Sequence, residues 1–551
     1  MGWMVVGHDS WSVETRVRHM SARVAPTTAR AHGRPRRWRR WRRWRAMARA
    51  GATRGGGGDD GWQMSWAGDG FHEEFGAGRY ETTLSERTAT WGRERVGDDA
   101  VIALTSSETG RLIDCDGSEI ERVARRLTEG GAGTATARAY AGHQFGTFAG
   151  ALGDGRVVSL GWVKSSDGTT REVQVKGGGK TTRTRDGGDG RCTLRSTIRE
   201  FLCAEILAAL DVPTTRLMCV ISTNEGVVRR TKANAARLEY GGMSVRVCEA
   251  PLVRFGTFEL PASRRDFDCV RALADHVIAS DLFVGEIDDV DRYGALLCAA
   301  ARRNAITVAR WMSIGFVHGV MNTDNTTVCG TTIDLGRFGF MEAYDEEFCS
   351  NPDDETKMYA FGRQRSVARW NVERLCDAFE RVVPASAHRS ALRAFDDAFE
   401  NETKRLNERK FGVRDDDGVV SSAFHRVLRV GGFDFTRAHR ALGEIASTLV
   451  ESSSSSSERV VRNVFARLFD VDAEQLDRSV DDFARAYASA LSSDARDARR
   501  RRSTQDATNP VFILRERDVS EAIDAAIEDD WTLARTLAHR CATPFRDEIL
   551  S

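Results

Sequence analysis

Between residues 100 and 260, short apolar runs recur with a period near two in "RVVSLGWV", "REVQVKG", "TRLMCVIS" and "VVRRT", an alternation that predicts β-strands. One segment breaks the alternation. "TLRSTIREFLCAEILAAL" spaces its apolar residues as a helix does, so a mixed lobe of sheet and helix is expected. From about Phe267 to Val450 the helical period dominates, in "DCVRALADHVIAS", "YGALLCAAARRNAITVARWMSIGFV" and "VERLCDAFERVV". The serine run 452–457 cannot bury surface and reads as a linker or exposed loop, with further helices after it and no internal repeat. The pattern predicts an α+β chain with a mixed N-terminal lobe at 61–262, a mainly helical lobe at 263–450, and a serine-rich linker with a helical extension at 451–551.

Residues 1–60 follow neither period. "ARAHGRPRRWRRWRRWRAMARAGATRGGGG" is dense in Arg, Trp and Ala, a one-sided charge that suits an organelle transit peptide, with the glycines as a flexible join. Asp9 and Glu14 fit such a leader badly, and a disordered basic arm is the alternative. Over all 551 residues, 80 basic and 80 acidic side chains cancel, so composition gives no net pull toward nucleic acid or a membrane. The longest apolar candidate, "FLCAEILAALDV", is interrupted by Glu205 and Asp211 and falls short of the roughly 18 residues of a span, so a soluble protein is expected. Eleven cysteines without a Cys-x-x-Cys pair exclude a readable zinc ribbon or dithiol motif and predict buried, reduced thiols.

Chemistry enters with the segment from Arg171 to Leu202, read as strand, Gly-rich loop and helix. Lys176 closes the strand and Glu200 lies on the helix, the arrangement by which protein kinases align phosphates. A Lys and a Glu this far apart are more often unpaired surface charges. The glycines follow the lysine, whereas kinases place theirs before it, and they alternate with Lys180, Arg183, Arg185 and Arg191. An upstream loop, "GALGDGRVVSLG", offers Gly153, Gly155 and Arg156 to an anion, although "LGDGRVV" alone reads as a hairpin turn. Arg246 and Arg254 flank a short apolar segment and together form a candidate phosphate clamp.

"HGVMNTDNTTVCGTTIDLG" places His318, Asn325 and Asp334 on the kinase frame of His-Arg-Asp, Asn and Asp-Phe-Gly, but Val320 stands where the proton acceptor belongs. His318 itself reads as a hydrogen-bonded structural residue. Together with "YAGHQFG", "LGDGR", "VQVKGGGKT", "VPTTR", "RFGTFEL", "GFVHGVMNTDN", "TIDLGRFGFMEAYD" and "NPVFILRE", these segments make the chain resemble the selenoprotein O family of pseudokinases from Tyr140 to about Phe545. The resemblance implies a protein-kinase-like two-lobed fold with a helical C-terminal extension. It also implies transfer of AMP from ATP to Ser, Thr or Tyr hydroxyls of proteins, with ATP inverted relative to a kinase, a magnesium or manganese ion, and a mitochondrial location.

Carried over by residue, the resemblance makes Asp324 the proton acceptor, Asn325 and Asp334 the metal ligands, and Lys176 the partner of Glu200. The nucleotide contacts it implies are Gly153, Gly155, Arg156, Lys176, Asp189, Gly190, Arg246, Arg254 and Asp334. The chain carries one extra residue between Lys176 and Asp189 and another between Arg246 and Arg254. It also ends in "CATPFRDEILS" without the redox-active Cys or selenocysteine found near the C-terminus of many members, and Cys541 is no substitute. A phosphotransferase using Asp324 as a displaced base, and a silent nucleotide-binding scaffold, are the competing readings.

Overall fold

Alternation along β-strands decides which side chains share a face, and here it separates an apolar from a polar layer. The structure is a computed structural model that describes residues 88–90, 100–129, 136–230, 235–283, 285–287, 291–451 and 456–546. Residues 1–60 and Ser452 to Ser455 lie outside the described residues. The strands are β1 (Thr88–Thr90), β2 (Val101–Thr105), β3 (Thr136–Arg138), β4 (Tyr140–Gln144), β5 (Thr147–Gly153), β6 (Val157–Lys164), β7 (Thr170–Lys176), β8 (Cys192–Thr193), β9 (Arg216–Arg230), β10 (Ala236–Glu249), β11 (Phe316–Val317) and β12 (Gly339–Phe340). Eight of them form an antiparallel sheet in the order β1-β3-β6-β7-β10-β9-β2, with β8 added against β10, while β4 pairs with β5 and β11 with β12. The two runs read separately as "TRLMCVIS" and "VVRRT" are one strand, β9, because β10 pairs along nearly its whole length.

In the register of β7 with β10, Val175 faces Val245 and Val173 faces Val247. These valines join Ile120, Ala124 and Leu127 of the helix Gly117–Glu129 in one apolar cluster. The alternate positions pair Lys176 with Ser244, Gln174 with Arg246 and Glu172 with Cys248, all of them buried. The sheet therefore carries a buried polar stripe on the face turned away from that helix.

The helix Leu194–Ala209 starts where the Thr193 side chain accepts from the Ser196 amide, and it stops at Leu210, just ahead of Asp211 with φ 60°. Its apolar residues join the largest core, which includes the helix Arg292–Ser313 and the helices Glu516–Ile527 and Thr532–Ala542. Arg195 pairs with Asp524 at 2.6 Å and Arg199 with Glu516 at 2.7 Å, so the first of these late helices also binds the Glu200 helix through charge. A second core, from Val317 to Leu491, gathers the helices Val419–Gly431, Phe435–Glu451, Ser457–Phe469 and Ser479–Ser493.

Three helix ends differ from the periodicity: the helix expected to run through Val317 is Arg292–Ser313, and Phe316–Val317 turns into β11. The helix expected to run through Val383 is Gln364–Ala378, and the next begins after Pro384, whose ring disfavours helix at the residue before it. Of the serine run, Ser456 caps the following helix by accepting from the Arg459 amide, and Ser457 is its first residue. Nine of the eleven cysteines are buried, Cys541 among them. Among the described residues no helix is long and apolar enough to cross a membrane.

Candidate active site

The polar stripe of the sheet leads to a cluster of charges. Lys176 Nζ donates to Glu200 Oε1 at 2.5 Å and to Asp334 Oδ1 at 2.5 Å, while Arg254 donates through one terminal nitrogen to Asp334 Oδ2 at 2.7 Å. The same Arg254 nitrogen reaches the Asp324 carbonyl at 2.7 Å and lies 3.5 Å from Asn325 Oδ1. Its guanidinium also lies over the Tyr140 ring, 4.6 Å from the centroid. Burial works against ionisation of Asp334, but the charges of Lys176, Arg254 and Arg246 outweigh it and hold the carboxyl well below the usual range. Asp334 has φ 58°, a left-handed conformation that only a few residue types adopt readily, Asp among them.

Arg246 completes the deep end. Its Nε donates to Gln174 Oε1 at 2.9 Å, and both terminal nitrogens are buried without a hydrogen-bond partner. A polar ladder runs on from there, because Gln174 donates to Glu172 at 2.9 Å and Glu172 accepts from Arg138 at 2.8 Å. An unpaired buried guanidinium is costly, and it marks a place prepared for an anion.

Asp324 sits differently. It is 4% exposed, its carboxylate accepts from Gln144 Nε2 at 3.3 and 3.5 Å, and burial pushes it up to about 6 although Arg254 draws it down. Gly142 makes this approach possible, since a Cβ there would lie 2.8 Å from Asp324 Oδ1. Asn325 donates to the Val320 carbonyl at 3.0 Å. His318 is the structural residue expected: Nε2 meets the Ile333 carbonyl at 2.9 Å, Nδ1 accepts from the Val320 amide at 3.3 Å, and burial lowers its proton affinity. The Nε2–H tautomer satisfies both bonds.

The two glycine loops meet each other. A Cβ on Gly153 would lie 2.7 Å from the Arg183 carbonyl, and Asp154 bonds Thr181. A Cβ on Gly155 would clash with the Tyr140 hydroxyl, so this loop closes over the ring beneath Arg254. Asp189 is turned toward Arg229, at 2.6 Å, and the Arg191 amide, at 3.0 Å, and makes no hydrogen bond to the Lys176 cluster. The exposed Arg156 side chain reaches the Arg191 carbonyl at 3.5 Å, but its own carbonyl accepts from the Gly177 amide at 2.9 Å, and Cys192, Asp334 and Glu200 raise its proton affinity; Gly190 binds back to Gly179. Lys176, Glu200, Arg254, Asn325 and Asp334 are thus brought together, with Arg246 beside them, while Arg156, Asp189 and Gly190 stand at the rim.

Gln144, Tyr140, Glu172 and Gln174 were not among the residues expected from sequence. The last two were within reach, because strict alternation from Glu172 to Lys176 places three polar side chains on one face. Gln144 and Tyr140 offered no such signal, since their partners lie over 100 residues away in the chain.

The sequence model described as "Protein adenylyltransferase SelO" matches residues 115–542. This chain belongs to the SelO family. It is 37% identical over 431 residues to a protein named "Protein nucleotidyltransferase YdiU" from Burkholderia multivorans, covering 75% of this chain and 78% of that protein. Proteins of the same name from Methylorubrum extorquens and Rhodopseudomonas palustris are each 36% identical over 449 residues, covering 80% of this chain and 86% of theirs. As a SelO member the chain is a nucleotidyltransferase that uses ATP.

Proposed function

We propose that this enzyme transfers AMP from ATP to Ser, Thr or Tyr hydroxyls of proteins, with the triphosphate pointing inward along the polar stripe. The observation that carries this orientation is Arg246, whose two terminal nitrogens are buried and unpaired beside Gln174. An adenine ring calls for an apolar slot, whereas Arg246, Gln174 and Lys176 suit phosphate oxygens. The fold reading that goes with it is a kinase-like pair of lobes, 61–262 and 263–450, with 451–551 as the extension. Its support is an antiparallel sheet whose terminal lysine meets a helical glutamate, followed by a mainly helical part holding Asp324 and Asp334.

In the reaction the acceptor oxygen bonds to the α-phosphorus, the bond from that phosphorus to the bridging oxygen breaks, and pyrophosphate leaves with the electron pair. Asp324 takes the hydroxyl proton. With a value near 6 the carboxylate is mostly ionised at pH 7 yet more basic than an exposed one. Lys176 and Arg254 bind the phosphate oxygens, and Glu200 keeps Lys176 in line. Asn325 and Asp334 fit a hard cation: their oxygens converge on one Arg254 nitrogen, at 3.5 and 2.7 Å, so a positive charge already marks that point. A magnesium or manganese ion held there would neutralise phosphate charge. Arg156, Asp189 and Gly190 act from the rim on the nucleotide's outer part.

ATP labelled at the α- or the γ-phosphate, supplied with magnesium, tests the reading. Acid-stable label on protein from the α position is expected. Label from the γ position alone indicates a phosphotransferase, and no label a scaffold. A mitochondrial location belongs to the same reading, supported by the Arg-rich leader, and fails if residues 1–60 leave a fused reporter in the cytosol.

A further inference from the structure

Four consecutive residues of β4 and its turn grip the loop that carries the base. Gly142 makes room for the Asp324 carboxylate, the His143 amide donates to Thr323 Oγ1 at 2.7 Å, and Gln144 Nε2 reaches both Asp324 oxygens. The Phe145 amide donates to the Tyr359 hydroxyl at 2.8 Å, which donates to Asn322 Oδ1 at 2.5 Å. The hairpin of β4 and β5 is therefore the wall beside the proton acceptor.

The tip of that wall is built at a cost. Phe145 and Gly146 have φ of 49° and 79°, two left-handed residues in a two-residue turn of the kind that favours Asn, Asp or Gly at its first position. A phenylalanine there costs on the order of 1 kcal/mol or more. Burial does not offset it, because Phe145 is 43% exposed, and Phe148, across from His143, is 41% exposed. Phe145 leans on Tyr359, with ring centroids 5.2 Å apart, and Phe148 on His143 at 5.1 Å, which meets Trp370 edge-on at 5.4 Å. An aromatic rim with two open rings thus lies next to Asp324.

We propose that this hairpin is the docking surface for the acceptor polypeptide, with Phe145 and Phe148 receiving apolar side chains that flank the modified hydroxyl. The proposal rests on the adenylyl-transfer reading. The occupant is a polypeptide because the hydroxyl must reach Asp324, and whatever flanks that hydroxyl along a chain meets the wall that holds Gln144 against the carboxylate. Ring faces in open positions suit aliphatic or aromatic neighbours and, being negative, offer nothing to carboxylates.

The probes are synthetic peptides with one serine flanked by leucines or by glutamates, assayed with α-labelled ATP on the full chain. The wild type is expected to favour the leucine-flanked peptide. In Phe145→Asn and in the double variant Phe145→Ser/Phe148→Ser, its KM is expected to rise about tenfold, with KM for ATP unmoved. Phe145→Asn suits the turn better than the native residue, so its melting temperature should not fall and unfolding cannot mimic the effect. An unchanged peptide KM in both variants overturns the proposal, as does a loss of self-association in its place, which would assign the surface to a second copy. If the wild type labels no peptide and no protein, the transfer reading fails first and takes this one with it.

Discussion

Two regions of the cleft hold one aspartate each, ten positions apart in sequence, and treat them in opposite ways. Asp334 has a cation on each oxygen and is held ionised, whereas Asp324 has one amide for company and is pushed up to about 6. A carboxylate saturated with positive charge makes a poor proton acceptor and a good anchor for a metal and phosphates. One that is buried and lightly solvated makes the better base. The same side chain thus serves two roles because its neighbours differ.

The hardest way to break this contrast is Asp334→Ala, expected to take AMP transfer below detection. Calorimetry should show that the magnesium-dependent part of ATP binding disappears, while binding without metal persists, since Lys176 and Arg254 are released to pair with phosphate. Asp324→Ala should lower kcat by about a hundredfold or more with ATP affinity nearly intact. Equal loss of nucleotide binding in both variants would erase the distinction between anchor and base. Arg246→Met keeps volume and removes the unpaired buried charge. It should weaken ATP binding by roughly tens-fold, the worth of one or two charge-assisted bonds, without lowering the melting temperature of the free protein. Glu200→Gln keeps the shape and loses the charge beside Lys176, so a fall in turnover of about tenfold is expected, read from steady-state transfer rates.

The smallest effect sharpens the comparison through stability. Because the folded Asp324 carboxyl sits near 6, above its ordinary 3.8, the folded chain holds a proton between those values that the unfolded chain has released. Stability from this group therefore falls as pH rises from 4 to 6. Asp324→Asn escapes that loss. Without metal or nucleotide, it should match the wild type near pH 4 and exceed it above pH 6 by at most about 3 kcal/mol, measured by denaturant titration.

Much of this site was legible because it follows from short-range pattern. Lys176 ends an alternating strand and Glu200 sits on a clear amphipathic helix, so their pairing needed only the lobe to close. The placement of Asn325 and Asp334 came from motif spacing. What stayed hidden depends on partners far apart in the chain. Nothing local in "RFGTFEL" says that Arg254 enters between Asn325 and Asp334, 71 and 80 positions later. Periodicity likewise cannot register that Arg229 on β9 holds the Asp189 carboxylate. The Gln144 contact spans 180 positions and joins the end of β4 to the short helical turn Thr323–Asn325, where sequence pattern is weakest.

The helices Glu516–Ile527 and Thr532–Ala542 brace the back of the helix bearing Glu200, the first of them tied by Arg195 to Asp524 and by Arg199 to Glu516. On a ribosome, this orders events in time. The lysine strand and its glutamate helix emerge early, but the support that seats the glutamate is synthesised more than 300 residues later, so a nascent chain lacks the braced pair until these helices clear the exit tunnel. A product cut short before these helices would carry every catalytic side chain and still lack the brace.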